Sequence, residues 1–352
     1  MRSKDSLDKI IRKGRAHLYK PIQIAEILHH YRTEGKIKPS DIETYRNASK
    51  RWRDEITKRL VGRASTSSQK YQDNIFDANA MPPAHLAELA RFNKKNGGVV
   101  EAYIYHRLKE RLGKINDAEK YLETAKPETF RLEEFLERFT AEPGLRRSID
   151  KVYEIIVYAL FSTIMRALRV EVSVCIKNLD KEVLADFKKF VTSVIGLSDK
   201  IQSITISASI HRVGVTNAAD RGLDMWANFG PAIQVKHLSL TEDLAEDVVE
   251  NVSADKIVLV CLDGEAETIR RILTQLSFSS RIQSIITVSD LTCWYELCLS
   301  AKYKKTLGAH LLQDLLREFK QEFPSSTEMT PFIKERKYDV SLLKGRWALT
   351  DI

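Results

Sequence analysis

"GLDMWANFGPAIQVKH", Gly222 to His237, sets an acid and a lysine on either side of a turn. Two short, mostly apolar runs flank Gly230-Pro231, a dipeptide that marks a turn, so the stretch reads as two strands joined in a hairpin. Asp224 stands in the first strand, and after nine residues Gln234-Val235-Lys236 stands in the second. Residues two apart leave a strand on the same face, so Gln234 and Lys236 share a face while Val235 points the other way. If the strands pair, Asp224 can face Gln234 across the ladder. One carboxylate, one amide oxygen, the Val235 main-chain carbonyl and one ammonium then surround a small volume.

That inventory suits a divalent metal beside a phosphate. Mg²⁺ takes one or two protein carboxylates and fills its shell with waters and phosphate oxygens. A lysine next to it can orient or deprotonate the attacking water and offset charge on a pentacovalent phosphate. The metal ligands would be Asp224, Gln234 and the Val235 carbonyl, with Lys236 as the catalytic cation. Glu154 is a candidate fourth member. It lies on an apolar helix between Val152, Ile155, Ile156 and Val157, where a carboxylate is costly unless paired or metal-linked. The plainer readings stand beside these: a polar hairpin edge for the three residues, and a salt-bridged or solvated Glu154.

Working outward, "SIDKVYEIIVYALFSTIMRALR" is a long apolar helix and "VEVSVCI" after it a strand. "DKEVLADFKKFVTSVIGL" predicts one amphipathic helix and "IQSITISA" a strand, and the hairpin follows. Beyond it come a helix over "TEDLAEDVVENV", a strand over "KIVLVCL", a helix over "EAETIRRILTQL", a strand over "IQSIITV" and a helix over "SDLTCWYELCLSAKY". Such alternation argues a mixed sheet flanked by helices. The tail from Pro324 has little pattern. Upstream, residues 1–145 read as helices punctuated by proline and glycine: Pro21, Pro39-Ser40-Asp41, Asn96-Gly97-Gly98, Gly113 and Pro143-Gly144. The fold expected is α+β or α/β, with a mostly helical region over 1–145 and a sheet-centred catalytic domain over 146–352.

Charge divides the chain in the same way. Residues 1–150 carry 31 Lys+Arg against 22 Asp+Glu, while 151–352 carry 25 against 26. The excess is sharpest in residues 1–70, at 18 against 8. A basic segment joined to a near-neutral one suggests that one part holds a polyanion while the other acts on it. No apolar run is long enough to span a bilayer, and the basic N-terminus lacks the apolar core of a secretion signal. The four cysteines form no C-x-x-C pair, so they read as reduced and mostly buried in a cytoplasmic protein.

The candidate DNA contacts lie in the basic segment. On "TYRNASKRWRDEITKRL", Tyr45, Ala48, Trp52, Ile56 and Leu60 form an apolar stripe. Arg46, Lys50, Arg53 and Thr57 line a neighbouring face, with Arg51 and Lys58 on the other flank. Such a helix can rest on its domain and offer cations to phosphates. The following loop gathers Arg63, Ser65, Ser67, Ser68 and Lys70, residue types that contact phosphates and base edges. An ordinary solvated helix and a flexible linker would have the same composition. His29 and His30 read as packing or surface histidines, and Trp226 and Phe229 as packing for the hairpin.

The order helix, strand, hairpin, helix with its acid and x-x-Lys resembles the PD-(D/E)xK nuclease fold. More specifically, "LDKIIRKGRAHLYKPIQIAEIL" and "RVGVTNAADRGLDMWANFGPAIQVKHLSL" are similar to the HaeII family of type II restriction endonucleases, over most of the chain. Two departures from the wider pattern matter: Leu223 replaces the proline, and Gln234 stands where an acid is usual. The resemblance implies Mg²⁺-dependent cleavage of both strands of double-stranded DNA at a short palindrome, with RGCGCY as the family's expected site. A palindrome cut on both strands calls for a homodimer, and a restriction enzyme for a cognate methyltransferase. Two alternatives remain at this point. One is a DNA-binding regulator with an α/β effector or dimerisation domain, which needs no acid-lysine hairpin. The other is a structure-selective nuclease, which needs less base-reading apparatus.

Overall fold

Proline and glycine punctuation lays out the first half as helices: α1 (Arg2–Lys13), α2 (Tyr19–Thr33), α3 (Arg46–Val61), α4 (Pro83–Lys95), α5 (Val99–Thr124), α6 (Leu132–Thr140) and α7 (Ile149–Leu168). The structure, a computed structural model, describes residues 2–14, 16–64, 80–142, 144–177, 181–198, 200–213, 223–236, 254–275, 280–325 and 327–349. Asp41 does open a helical turn, but a 3-10 one, and α3 itself starts at Arg46. Gly98 precedes α5 with φ 92°, and a Cβ there would come 3.2 Å from the Arg32 Nε. Gly113, expected to end a helix, lies inside α5 instead. An internal glycine costs about 1 kcal/mol, and the burial of Ile115, Ala118 and Leu122 beyond it offsets that.

After α7 come β1 (Glu171–Cys175), α8 (Lys181–Asp186), α9 (Lys188–Phe190), β2 (Ser203–Ser207), β3 (Ile210–Arg212), β4 (Met225–Ala227), β5 (Ala232–Lys236), β6 (Ile257–Cys261), α10 (Ala266–Gln275), β7 (Ile282–Thr287) and α11 (Val288–Leu299). The chain then forms α12 (Ala309–Glu322) and α13 (Met329–Glu335). This is an α+β fold, with two sheets among the described residues. Five strands are ordered β3-β4-β5-β6-β7, antiparallel as far as β5 and parallel from β5 to β7. β1 and β2 pair with each other as a separate antiparallel sheet. The single amphipathic helix expected over 180–197 is broken into α8, α9 and a π-turn at Val191–Ile195. The helix expected over "TEDLAEDVVENV" lies outside the described residues.

Two compact units emerge. One is built mainly from residues 1–156 and 312–352, the other from 157–213 and 222–311. In the first, α2 is buried continuously from Pro21 to Leu28, the signature of a helix enclosed by neighbours, here α1, α3, α4 and α5. The C-terminal tail is part of this unit: Phe332, Tyr338 and Trp347 are buried, and Tyr338 stacks on Tyr105 of α5 at 5.5 Å. In the second unit, α10 lays Ile269 and Ile272 against Ala232, Ile257, Leu259 and Cys261 on one face of the five-stranded sheet. Among the described residues, no helix is long and apolar enough to cross a membrane.

Candidate active site

The hairpin forms as its sequence demands. Pro231 precedes β5, and Gly230, at φ 123°, takes a backbone conformation that a side chain would resist. The turn closes with Gly230 N donating to Ala227 O and Ala227 N to Pro231 O, at 3.0 and 2.9 Å. Met225 pairs with Ile233 and Trp226 with Ala232, so one further step of that register sets Asp224 opposite Gln234. On its other side Asp224 is held by β3, whose next residue, Val213, donates its N–H to the Asp224 carbonyl at 2.9 Å.

The Asp224 carboxylate is itself fixed to β5: Val235 N donates to its Oδ2 at 2.8 Å. A strand residue turns its N–H and C=O to the same side. The Val235 carbonyl therefore points to the β4 side too, just past the end of the β4–β5 ladder. Gln234 is fully buried, while Asp224 and Lys236 are half-buried. Lys236 is one pleat beyond Gln234 and in register with Cys261 of β6. Burial, with Asp263 and Glu265 nearby, pushes the Cys261 thiol up to about 11, so it stays protonated at neutral pH. The donors collected at this point are therefore oxygens, the set a hard cation such as Mg²⁺ prefers. Among the described residues no group of three or more His, Cys, Asp or Glu could hold a metal. A cation here would rest on one carboxylate supported by an amide and a main-chain carbonyl.

Other carboxylates at this edge of the sheet serve the backbone. Asp263 accepts from Ser289 N at 3.3 Å, and Asp290 forms a capping box with Thr287 at the start of α11. Hydrogen bonds from Ser289 and Thr287 hold the Asp263 carboxyl below its ordinary value, against the effect of burial. Glu154 is buried on α7, and Lys151 Nζ donates to its two oxygens at 2.7 and 2.8 Å.

Trp226 and Phe229, read from the sequence as hairpin packing, are 44% and 43% exposed. Trp226 lies on the same face of β4 as Asp224, and His211 of β3 stacks on it at 4.4 Å. Sequence reasoning missed His211, although the short strand that carries it, "IHR", alternates burial as a strand should.

The basic helix departs from expectation at one position. Arg53 is 1% exposed, and its guanidinium bonds Asp54 Oδ1 at 2.9 and 2.7 Å and Gln23 Oε1 at 3.2 Å. The buried stripe of α3 runs through Ser49, Arg53, Ile56, Thr57 and Leu60, one position round from the stripe read from the sequence. Arg53 anchors α3 to α2 and offers no cation to solvent. Arg46 pairs with Glu43 at 2.8 Å, and Lys50 is half-buried. Arg63 reaches toward Glu322 and the ring of His17, at 3.7 and 3.4 Å. Arg51 and Lys58 are the exposed cations of this helix among those named. Ser65, Ser67, Ser68 and Lys70 lie outside the described residues. His29 contacts Glu101 and His30 stacks on Trp52, which makes both packing residues. All four cysteines are free, but two of them, Cys175 and Cys293, are exposed rather than buried.

Comparison with known proteins supplies the class. A family model described as HaeII restriction endonuclease matches residues 3–338. The chain is 50% identical over 342 residues to the type II restriction enzyme HaeII of Haemophilus aegyptius. It is 47% identical over 343 residues to the type II restriction enzyme NgoBI of Neisseria gonorrhoeae, and each match covers 97% of both chains. No solved structure matches it. Identity at this level over nearly the whole length makes the protein a type II restriction endonuclease. Within that class the chain belongs to the HaeII restriction endonuclease family.

Proposed function

We propose that this enzyme hydrolyses one phosphodiester bond in each strand of double-stranded DNA at a short palindrome, with Mg²⁺ as cofactor and the β4–β5 hairpin as its active site. The observation that carries the reading is the pairing register, which brings the Asp224 carboxylate, the Val235 backbone and the Lys236 strand face together. Asp224 and the Val235 carbonyl would hold the metal, and the Gln234 amide would complete the protein's share. A divalent cation bound there lowers the pKa of its water and draws charge off the phosphate. Lys236 would orient the attacking water through its ammonium and offset charge on the phosphoryl oxygens. β5 and β6 are buried over most of their length and pair in parallel, with Gln234 opposite Leu259 and Lys236 opposite Cys261. Glu154, a buried carboxylate on the apolar helix α7, is the proposed fourth member of the site, with Lys151 as its neighbour.

The same layout supports a PD-(D/E)xK-type core in which Gln234 takes the place of the second acid. The basic segment over 1–145 would supply DNA contacts. RGCGCY is the site proposed on family grounds. Cutting both strands of a twofold site asks for two chains, in the cytoplasm beside a cognate methyltransferase. The experiment is direct. Purified protein should cut a plasmid carrying RGCGCY into discrete fragments with Mg²⁺ and leave it intact in chelator. A smear, or cutting that ignores the chelator, would overturn the assignment.

A further inference from the structure

Among the described residues, 168–206 hold nine of the thirteen large apolar side chains that stand exposed. This concentration has a pattern. Val183, Phe187, Phe190 and Val194 follow one another at spacings of four, three and four along α8, α9 and the π-turn, and are 48, 59, 54 and 68% exposed. Those spacings align side chains along one side of a helix, the arrangement of a helix–helix seam. The neighbouring two-stranded sheet repeats the theme. Its register pairs Val172 with Ile206 and Val174 with Ile204, so four branched apolar side chains share one face while Ser173, Thr205 and Ser207 share the other. Val174 and Ile206 are 37% and 45% exposed. A two-stranded sheet by itself is marginal in water and needs something against its apolar face.

We propose that this face seats a second copy of the same chain, related by a twofold axis near Phe187. Two observations favour a second copy over another occupant. At about 150–250 Å² for a large side chain, the exposed fractions of Val183, Phe187, Phe190, Val194, Val174 and Ile206 add to roughly 500 Å², the larger part of the about 800 Å² that one partner gives a standard interface. That lies at the upper end of the apolar patch of a typical free monomer. The charges are also self-complementary. Asp186 precedes Phe187 while Lys188 and Lys189 follow it, all exposed. An antiparallel twofold pairing brings the acid of one copy to the lysines of the other. The proposal deepens the two-chain reading above, and rests on it for the number of copies.

Light scattering on the intact protein tests it. The wild type should have twice the 40.3 kDa chain mass. Phe187→Glu with Phe190→Glu should give the single-chain mass with unchanged circular dichroism. Val340→Glu, at an exposed apolar residue of the other unit, should leave the dimer intact. Should the double glutamate variant misfold, charge exchange gives the answer. Lys188→Glu with Lys189→Glu should weaken the dimer at least tenfold, and adding Asp186→Lys should restore it. A wild type of single-chain mass at every concentration would overturn the proposal, as would a dimer indifferent to both sets of substitutions. Plasmid cleavage, scored separately, distinguishes the two readings. A dimer through this face that leaves the RGCGCY plasmid uncut in Mg²⁺ removes the proposed cofactor and target alone, whereas a cutting enzyme whose dimer ignores these changes removes this surface alone.

Discussion

Glu101 and Asp224 are both carboxylates held by hydrogen bonds inside the protein, and they are held for opposite ends. Glu101 of α5 is fully buried. Arg32 grips both oxygens at 2.9 and 2.8 Å, Tyr338 donates at 2.6 Å, and His29 and Asn93 fill the remaining space. Burial opposes its charge, yet the bonds from Arg32, His29 and Tyr338 outweigh this and hold the carboxyl down to about 2. The network joins α2, α4, α5 and the tail, and its surroundings leave a metal or a phosphate no way in. Asp224 is half-exposed at the end of a ladder, with Val235 N on Oδ2 and a lysine two residues off the opposing position. A carboxylate saturated by side chains builds the fold. One at a strand end, half-buried and accepting from Val235 N, stands in a different setting.

Isosteric substitutions at the two acids should separate these roles, and the effect at the hairpin is the larger. Asp224→Asn keeps an oxygen for Val235 N but removes the charge, so the melting temperature should hold while plasmid cleavage is lost. Lys236→Ala should lower the cleavage rate by about 10²–10⁴ while site-specific DNA binding stays near wild type. Normal cutting by Lys236→Ala would leave the hairpin merely a hairpin. Gln234→Glu supplies the acid usual at this position in the wider fold, and it should retain part of the activity with altered metal preference.

Glu101→Gln should do the reverse. It leaves the half-buried Arg32 without its counter-charge, at about 1–3 kcal/mol. Thermal or denaturant unfolding should shift by that order, while cleavage by the folded fraction at low temperature should be unchanged. A variant that keeps wild-type stability would mean that the network is not what ties the tail to α5.

How far the sequence alone reaches differs between the regions for physical reasons. The hairpin was legible because a two-residue period and a Gly-Pro turn are local signals, and its register follows once the turn is placed. The separation of β1 and β2 from the main sheet was not, since strand pairing is decided by distant partners and both runs look like any half-buried strand. The tail showed little pattern because Phe332, Tyr338 and Trp347 anchor it singly, with no period to read. Arg53 was misjudged because an arginine on an amphipathic helix ordinarily faces water, and its burial depends on Gln23, thirty residues upstream on another helix. The family resemblance lay in stretches too long to arise by chance, unlike Asp-x₉-Gln-x-Lys itself.

The contrast between saturated and half-buried groups extends to pH. Burial, reinforced by the Arg63 cation, lowers the His17 imidazole to about 3. The unfolded chain therefore binds a proton below about 6.5 that the native state refuses, and stability falls as pH drops from there toward 3. Glu101 is depressed instead. Its contribution is complete above its ordinary value of 4.5 and is lost as pH falls toward 2. Between pH 6.5 and 5 the His17 loss amounts to roughly 2 kcal/mol. His17→Phe keeps the aromatic packing on Tyr19 and Phe323 and should flatten unfolding free energy over that interval. Loss below pH 4.5 should persist. A slope unchanged by His17→Phe would place the titrating group elsewhere.

The smallest effect concerns the cations of α3, where the same distinction holds. Arg53 is enclosed by Asp54 and Gln23, so its charge is spent inside the unit, and Arg53→Ala should cost stability without altering how DNA affinity varies with salt. Arg51 and Lys58 are exposed, and if α3 lies on DNA each neutralises a phosphate and releases counterions. Removing both by alanine should then leave the melting temperature in place and reduce the salt slope of binding by about 1–2. Sequence preference should be untouched, because phosphate contacts carry none. If the slope does not change, α3 does not lie on the DNA, and the basic excess of residues 1–70 acts through other side chains. If Arg53→Ala alters the slope while Arg51→Ala and Lys58→Ala do not, burial is no guide here to which cations reach the phosphates.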